Sequence, residues 1–177
     1  MTVKRLVALL TLNILLQSAL VYGQSSDDLS KRIRTAVENE NWQTATTELE
    51  KLRTADPAFF QSRDYDYLAA RISERSGDTA AASKSYQTIV SGTSILSEHA
   101  LWRLARLARS TGDLPLERER LRRLIPVASG SLLYEPATLR LAESFFESGD
   151  YQAAAVAASS LTNVKNSSLA REAAALM

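Results

Sequence analysis

Apolar residues recur along this chain at the three- and four-residue spacings of a helix face, in short stripes broken at regular intervals. Tyr65, Leu68, Ala69 and Ile72 form one stripe, Leu101, Leu104, Ala105 and Ala108 a second, and Leu139, Leu141, Ala142 and Phe145 a third. A partner stripe follows each after a polar break: Ala82, Tyr86 and Ile89, then Leu121 and Leu124, then Ala154, Ala158 and Leu161. An earlier stripe of Ala45, Leu49 and Leu52 runs up to Pro57, where a helix cannot continue. The pattern predicts helices in consecutive pairs.

The breaks share a composition. Gly77-Asp78-Thr79-Ala80-Ala81-Ala82, Gly112-Asp113-Leu114-Pro115-Leu116-Glu117 and Gly149-Asp150-Tyr151-Gln152-Ala153-Ala154 align, with a degenerate copy at Glu40-Asn41-Trp42-Gln43-Thr44-Ala45. The position after each Gly-Asp pair falls at 42, 79, 114 and 151, giving spacings of 37, 35 and 37 residues. Glycine at a helix end can take the left-handed conformation that stops the helix, and Asp can then accept from the free N–H groups opening the next. Hairpins turning at Asn41, Gly77, Gly112 and Gly149 are therefore expected. Small residues such as Ala45, Ala82 and Ala154 let paired helices approach closely. Abundant Ala and Leu, against six Gly and four Pro, favour helix throughout.

A fixed period of this kind resembles the tetratricopeptide repeat, whose units recur about every 34 residues. The matching residues are Trp42, Ala45, Leu49 and Pro57; Ala70, Gly77, Asp78, Ala82 and Tyr86; Ala105, Gly112, Asp113 and Leu121; and Ala142, Gly149, Asp150, Tyr151 and Ala154. Glu117 stands where that family prefers Ala, and only the first unit has the closing Pro. The resemblance implies an all-α fold, a right-handed superhelix of about four antiparallel helix hairpins over residues 24–167. Residues 168–177 would open a further repeat or cap the array. A generic helical bundle is the alternative, but unrelated bundles rarely keep a fixed period.

Three segments, Asp64 to Arg71, His99 to Ala108 and Phe145 to Tyr151, are also similar to the helical N-terminal part of bacterial soluble lytic murein transglycosylases. In that family a helical superhelix precedes a small domain that cleaves peptidoglycan. The family's catalytic Glu-Ser motif continues into a Gly-rich, Gln-containing stretch, which neither Glu143-Ser144 nor Glu147-Ser148 possesses. Both pairs lie near a helix end before Gly149-Asp150 and are expected to be solvated.

The N-terminal segment has a different character. Lys4 and Arg5 precede a largely apolar run from Leu6 to Val21, and Val21-Tyr22-Gly23 offers a cleavage site. The run is about 16 residues long and contains Asn13, Gln17 and Ser18, whereas a membrane span needs about 20 apolar residues. Residues 1–23 are expected to be a signal peptide, leaving an exported chain, periplasmic or extracellular, without a stable membrane span. Loss of Lys4 and Arg5 would turn 21 basic and 20 acidic residues into 19 and 20, a balance that offers nucleic acid no bulk attraction. The absence of cysteine excludes disulfides, a lipid-modified Cys, a thiol nucleophile and most structural zinc sites.

Candidate chemistry is sparse. His99 is the single histidine and has no metal partners in sequence. Asp64 and Asp66 stand just ahead of a helix, where capping accounts for them. The run Glu117-Arg118-Glu119-Arg120-Leu121-Arg122-Arg123 reads as a solvated helix face with weak local ion pairs. With no phosphate loop and no nucleophile elbow, no catalytic residue, cofactor or metal is assigned.

One constellation remains. The first helix of each hairpin should line a concave face, which places Arg34 there in the first unit, Tyr67, Arg71 and Arg75 in the second, and His99, Trp102, Arg106 and Arg109 in the third. Aromatic and Arg side chains are the usual anchors of interfaces, and the guanidinium fork suits carboxylates. The expected partner is another envelope protein or a peptide, or peptidoglycan, presenting carboxylates. The alternative is a polar inner wall with one partly buried Trp.

Overall fold

The structure is a computed structural model in which residues 26–161 and 172–175 are described. The expected signal peptide and residues 168–171 lie outside them. Among the described residues the only regular structure is helical: α1 (26–38), α2 (Trp42–Ala55), α3 (Pro57–Ser62), α4 (Tyr65–Arg75), α5 (Thr79–Ser91), α6 (Ser97–Ser110), α7 (Leu114–Val127), α8 (Tyr134–Glu147), α9 (Tyr151–Ser159) and a turn of α10 (172–174). No described helix is long and apolar enough to cross a membrane. The chain divides between Asp78 and Thr79 into two compact units.

The turns form as the Gly-Asp pairs predict. Gly77, Gly112 and Gly149 have φ of +87°, +75° and +81°. At Gly112 the closure is doubled: its N–H donates to Arg109 O at 2.9 Å and the Asp113 N–H reaches back to Ala108 O at 3.0 Å. This crossed pair satisfies carbonyls that would otherwise end the helix unpaired. The Asp113 and Asp150 carboxylates then accept from Leu116 N at 3.0 Å and Ala153 N at 3.1 Å. In the degenerate copy Glu40 takes the glycine's place with φ +54°, and Asn41 caps Thr44 N at 3.1 Å.

The first unit packs α1, α2, α3 and α4 around Ile33, Leu49, Leu52, Phe60 and Ile72, all nearly inaccessible to solvent. Burying each such side chain contributes about 1.5–3 kcal/mol before entropy is counted. Pro57 ends α2 as expected, but it also opens α3 as its first residue, with the Asp56 carboxylate accepting from Phe59 N at 3.0 Å. The sequence reading missed this short helix, which brings Phe60 into the core against Tyr65, ring centres 5.6 Å apart. Asp64 departs from expectation too. It adopts φ +52° and makes no side-chain bond to the N-terminus of α4. Asp66 lies inside the first turn and reaches Arg53 at 3.4 Å.

The second unit stacks α5, α6, α7, α8 and α9 in sequence order, each packed on the next. Leu101, Ala105, Leu121, Leu124, Ala137 and Leu141 form one core, and Leu139, Ala142, Ala158, Leu161 and Ala173 another. Ala173 ties α10 to α8 and α9.

Candidate functional site

In the second unit, α6 carries Trp102, Arg106 and Arg109 on one side because they fall three and four residues apart. Leu101, Leu104, Ala105 and Ala108 occupy the buried side and fix that orientation. The three line an open cleft of about 430 Å³, together with Ala105, Ser110, Glu117 and Arg140. Trp102 is half-buried, whereas Arg106 and Arg109 are exposed. Arg106 has no ion pair among the described residues. Arg109 meets Glu147 loosely, at 3.6 Å.

The base of the cleft is an ionic cluster. The Arg140 side chain is 8% exposed and Glu117 1%. Arg140 Nε and Nη2 donate to the two oxygens of Glu117 at 2.6 and 3.0 Å. Its Nη1 and Nη2 donate to Glu147 at 2.7 and 2.9 Å, and Nη1 also to Glu143 at 2.9 Å. These bonds use every N–H of the guanidinium. Burial works against the Arg140 charge, but bonds to Glu147, Glu117 and Glu143 outweigh it and push its pKa above the ordinary arginine value. The Arg140 guanidinium, bonded directly to Glu147, holds that carboxyl below its usual range.

Two expectations are corrected by this cluster. Glu117 is not part of a solvated face; it is the buried partner of Arg140, because the repeat places its position against the neighbouring hairpin. Glu143 and Glu147 are not free solvated carboxylates either, since both bond Arg140. The missed residue is Arg140, placed between the apolar Leu139 and Leu141. The available signal was Glu117 itself: an acid where the other units bury Ala45, Ala82 and Ala154 requires a cation nearby.

His99 lies on α6 but outside the cleft lining, exposed and 3.9 Å from Glu98. In the first unit, Arg34 lines a separate cleft of about 450 Å³ with Ile33, Val37, Tyr65 and Leu68. Tyr67, Arg71 and Arg75 do not line it. Arg71 sits 3.7 Å from Glu74, and its buried Nε makes no hydrogen bond. Arg75 is exposed in the last turn of α4. No group of three or more candidate metal ligands occurs among the described residues.

The fold is shared with solved structures. A crystal structure of a tetratricopeptide repeat protein from Parabacteroides merdae superposes with a TM-score of 0.71 at 18% identity, covering 86% of this chain and 59% of that one. The fold is that of a tetratricopeptide repeat protein. The crystal structure of the MamA protein is also similar, with a TM-score of 0.63, 15% identity, and coverage of 87% of this chain and 88% of that one. This chain therefore spans about three fifths of the length of the first of these. No protein-family model and no curated protein matches the sequence.

Proposed function

We propose that the chain is an exported, non-catalytic scaffold of the cell envelope that binds a protein or peptide through exposed Arg and aromatic side chains. The observation that carries this reading is the cleft formed by Trp102, Arg106 and Arg109. It joins a half-buried indole to two accessible guanidinium groups, beside a third that is already saturated. A carboxylate-bearing segment would find charge-assisted donors in Arg106 and Arg109 and an apolar platform in Trp102. The export half rests on Lys4, Arg5 and the apolar run Leu6 to Val21.

Pull-down from an envelope extract followed by titration of the captured partner tests the proposal. Trp102→Ala with Arg106→Ala should weaken binding at least about tenfold, since central Arg and Trp anchors each contribute about 2 kcal/mol or more. Unchanged affinity in a variant with the same helical signal would show the cleft to be only a wall. Fusion of residues 1–23 to a reporter tests export separately.

A second reading makes the chain the non-catalytic arm of a longer peptidoglycan-cleaving enzyme. The likeness of segments 64–71, 99–108 and 145–151 to soluble lytic murein transglycosylases favours it. A Glu-Ser motif with its Gly-rich continuation, encoded in frame past Met177, would support that reading; a stop codon would support the stand-alone scaffold.

A further inference from the structure

A second cleft, unrelated to α6, opens between α1 and α2 in the first unit. It holds about 400 Å³, within the range of small-ligand sites, and its wall is mostly apolar surface, from Ala36 and the stems of the longer side chains, carrying the polar groups of Lys31, Arg32, Thr35, Asn39, Asn41 and Thr44 around Glu48. The Glu48 side chain is only 9% exposed. Its Oε1 takes the Lys51 ammonium, but its Oε2 is buried and accepts no hydrogen bond, with the closest cation, Arg32, 4.0 Å away. Arg32 is itself committed to Asp28 at 2.7 Å. A buried carboxylate oxygen without a donor is costly, and the residue that carries it stands in the wall of the cleft, where a ligand donor that displaces a neighbouring side chain would satisfy it.

The rim adds matching groups. Thr46, Thr47 and Thr54 on the same helix turn their hydroxyls onto carbonyls four residues back. The Thr35 and Thr44 hydroxyls and the Asn39 amide make no such bond among the described residues. Asn41 spends only its carbonyl oxygen, on Thr44 N, leaving its amide donors for a ligand. The site therefore offers one strong acceptor at its base and a mixed set of donors and acceptors at its mouth.

Charge decides the ligand class. An anion would meet the buried Glu48 carboxylate, and an ammonium would meet Lys31, Arg32 and Lys51. A neutral molecule rich in hydroxyls avoids both penalties, donating to Glu48 Oε2 while accepting from Asn39, Asn41 and Lys31. We propose that the α1–α2 cleft is a binding site for a neutral sugar-sized ligand, with Glu48 as its principal hydrogen-bond acceptor.

The test is titration of the full chain, followed by amide NMR, with a panel of neutral mono- and disaccharides and with ethanolamine and inorganic phosphate as the charged rivals. At least one sugar should give saturable shifts at Thr35, Asn39 and Thr44, with a Kd of about 1 mM or tighter. Glu48→Gln should weaken that binding at least about tenfold, one decade in Kd. Asn39→Ala, an exposed change that leaves the core untouched, should weaken it several-fold and guard against a folding artefact. Trp102→Ala should leave it unaltered, which separates this site from the α6 cleft. Failure of the whole panel, preference for ethanolamine or phosphate, or an unchanged Kd in Glu48→Gln would overturn the proposal.

Discussion

Ala45 and Glu117 occupy the same place, the fourth residue of the second helix in a hairpin, and both are sealed from solvent, at 0% and 1% exposure. In the first unit the small side chain sits in a core made of Ile33, Leu49, Leu52 and Phe60. In the second, the same backbone position carries a carboxylate, and Arg140 is drawn from α8 to neutralise it. The frame fixes where a side chain points, and the residue placed there decides whether the closure is apolar or ionic. An ionic closure has a consequence that the apolar one lacks: it sets the Glu117 carboxylate and a saturated guanidinium in the wall of the α6 cleft.

Arg140 carries most of the difference between the two closures. Arg140→Met would leave Glu117 buried without a cation, and stability should fall by about 3–5 kcal/mol in denaturant unfolding. Adding Glu117→Ala to that variant restores the apolar arrangement of the first unit and should recover most of the loss, because a buried ion pair is seldom more stable than its apolar replacement. A single variant losing less than about 1 kcal/mol would mean that water, not Arg140, stabilises Glu117.

The two units also differ in their turns, at a smaller scale. Glu40 and Gly112 both hold positive φ, at +54° and +75°, yet only one is glycine. A Cβ on Gly112 would meet nothing within 4 Å, so Gly112→Ala is opposed by backbone strain alone and should cost about 1 kcal/mol. Glu40→Gly removes the same strain and should gain up to about 1 kcal/mol. Thermal or denaturant midpoints moving in the same direction for both would refute the equivalence of the two turns.

Those equivalences show how much of the molecule was legible in its sequence. The helix pairs, the left-handed turns and their Asp or Asn caps are local, set by residues within a few positions of each other, and the spacing of Gly77, Gly112 and Gly149 exposed them. The side of α6 bearing Trp102, Arg106 and Arg109 was legible for the same reason. What escaped was pairwise and distant. Glu117 and Arg140 are 23 residues apart, and nothing in the period of either helix records that they meet. The run Glu117 to Arg123 resembled a solvated face because its charges alternate, yet the helix turns one of those acids inward. Glu48 escaped similarly, since its burial depends on how α1 covers α2.

The smallest effect expected from the ionic closure is a pH dependence. Arg140 lowers the folded-state pKa of Glu147 below its ordinary value of 4.5, so the folded chain holds that proton less tightly than the unfolded chain. The resulting stability is fully present above the unfolded-state pKa and is lost as pH falls through the folded one. Glu147 remains 41% exposed, so solvent and salt screen its share. Unfolding of the intact chain should therefore steepen in its pH dependence below about pH 4.5, and Glu147→Gln should flatten part of that slope. Added salt should shrink the difference between the two proteins, as it does for exposed charges and not for sealed ones. Superimposable pH profiles for the intact chain and Glu147→Gln at low salt would place Glu147 outside the closure. The Arg140 bonds to Glu117 and Glu143, which have no counterpart at Ala45, would then be the whole of it.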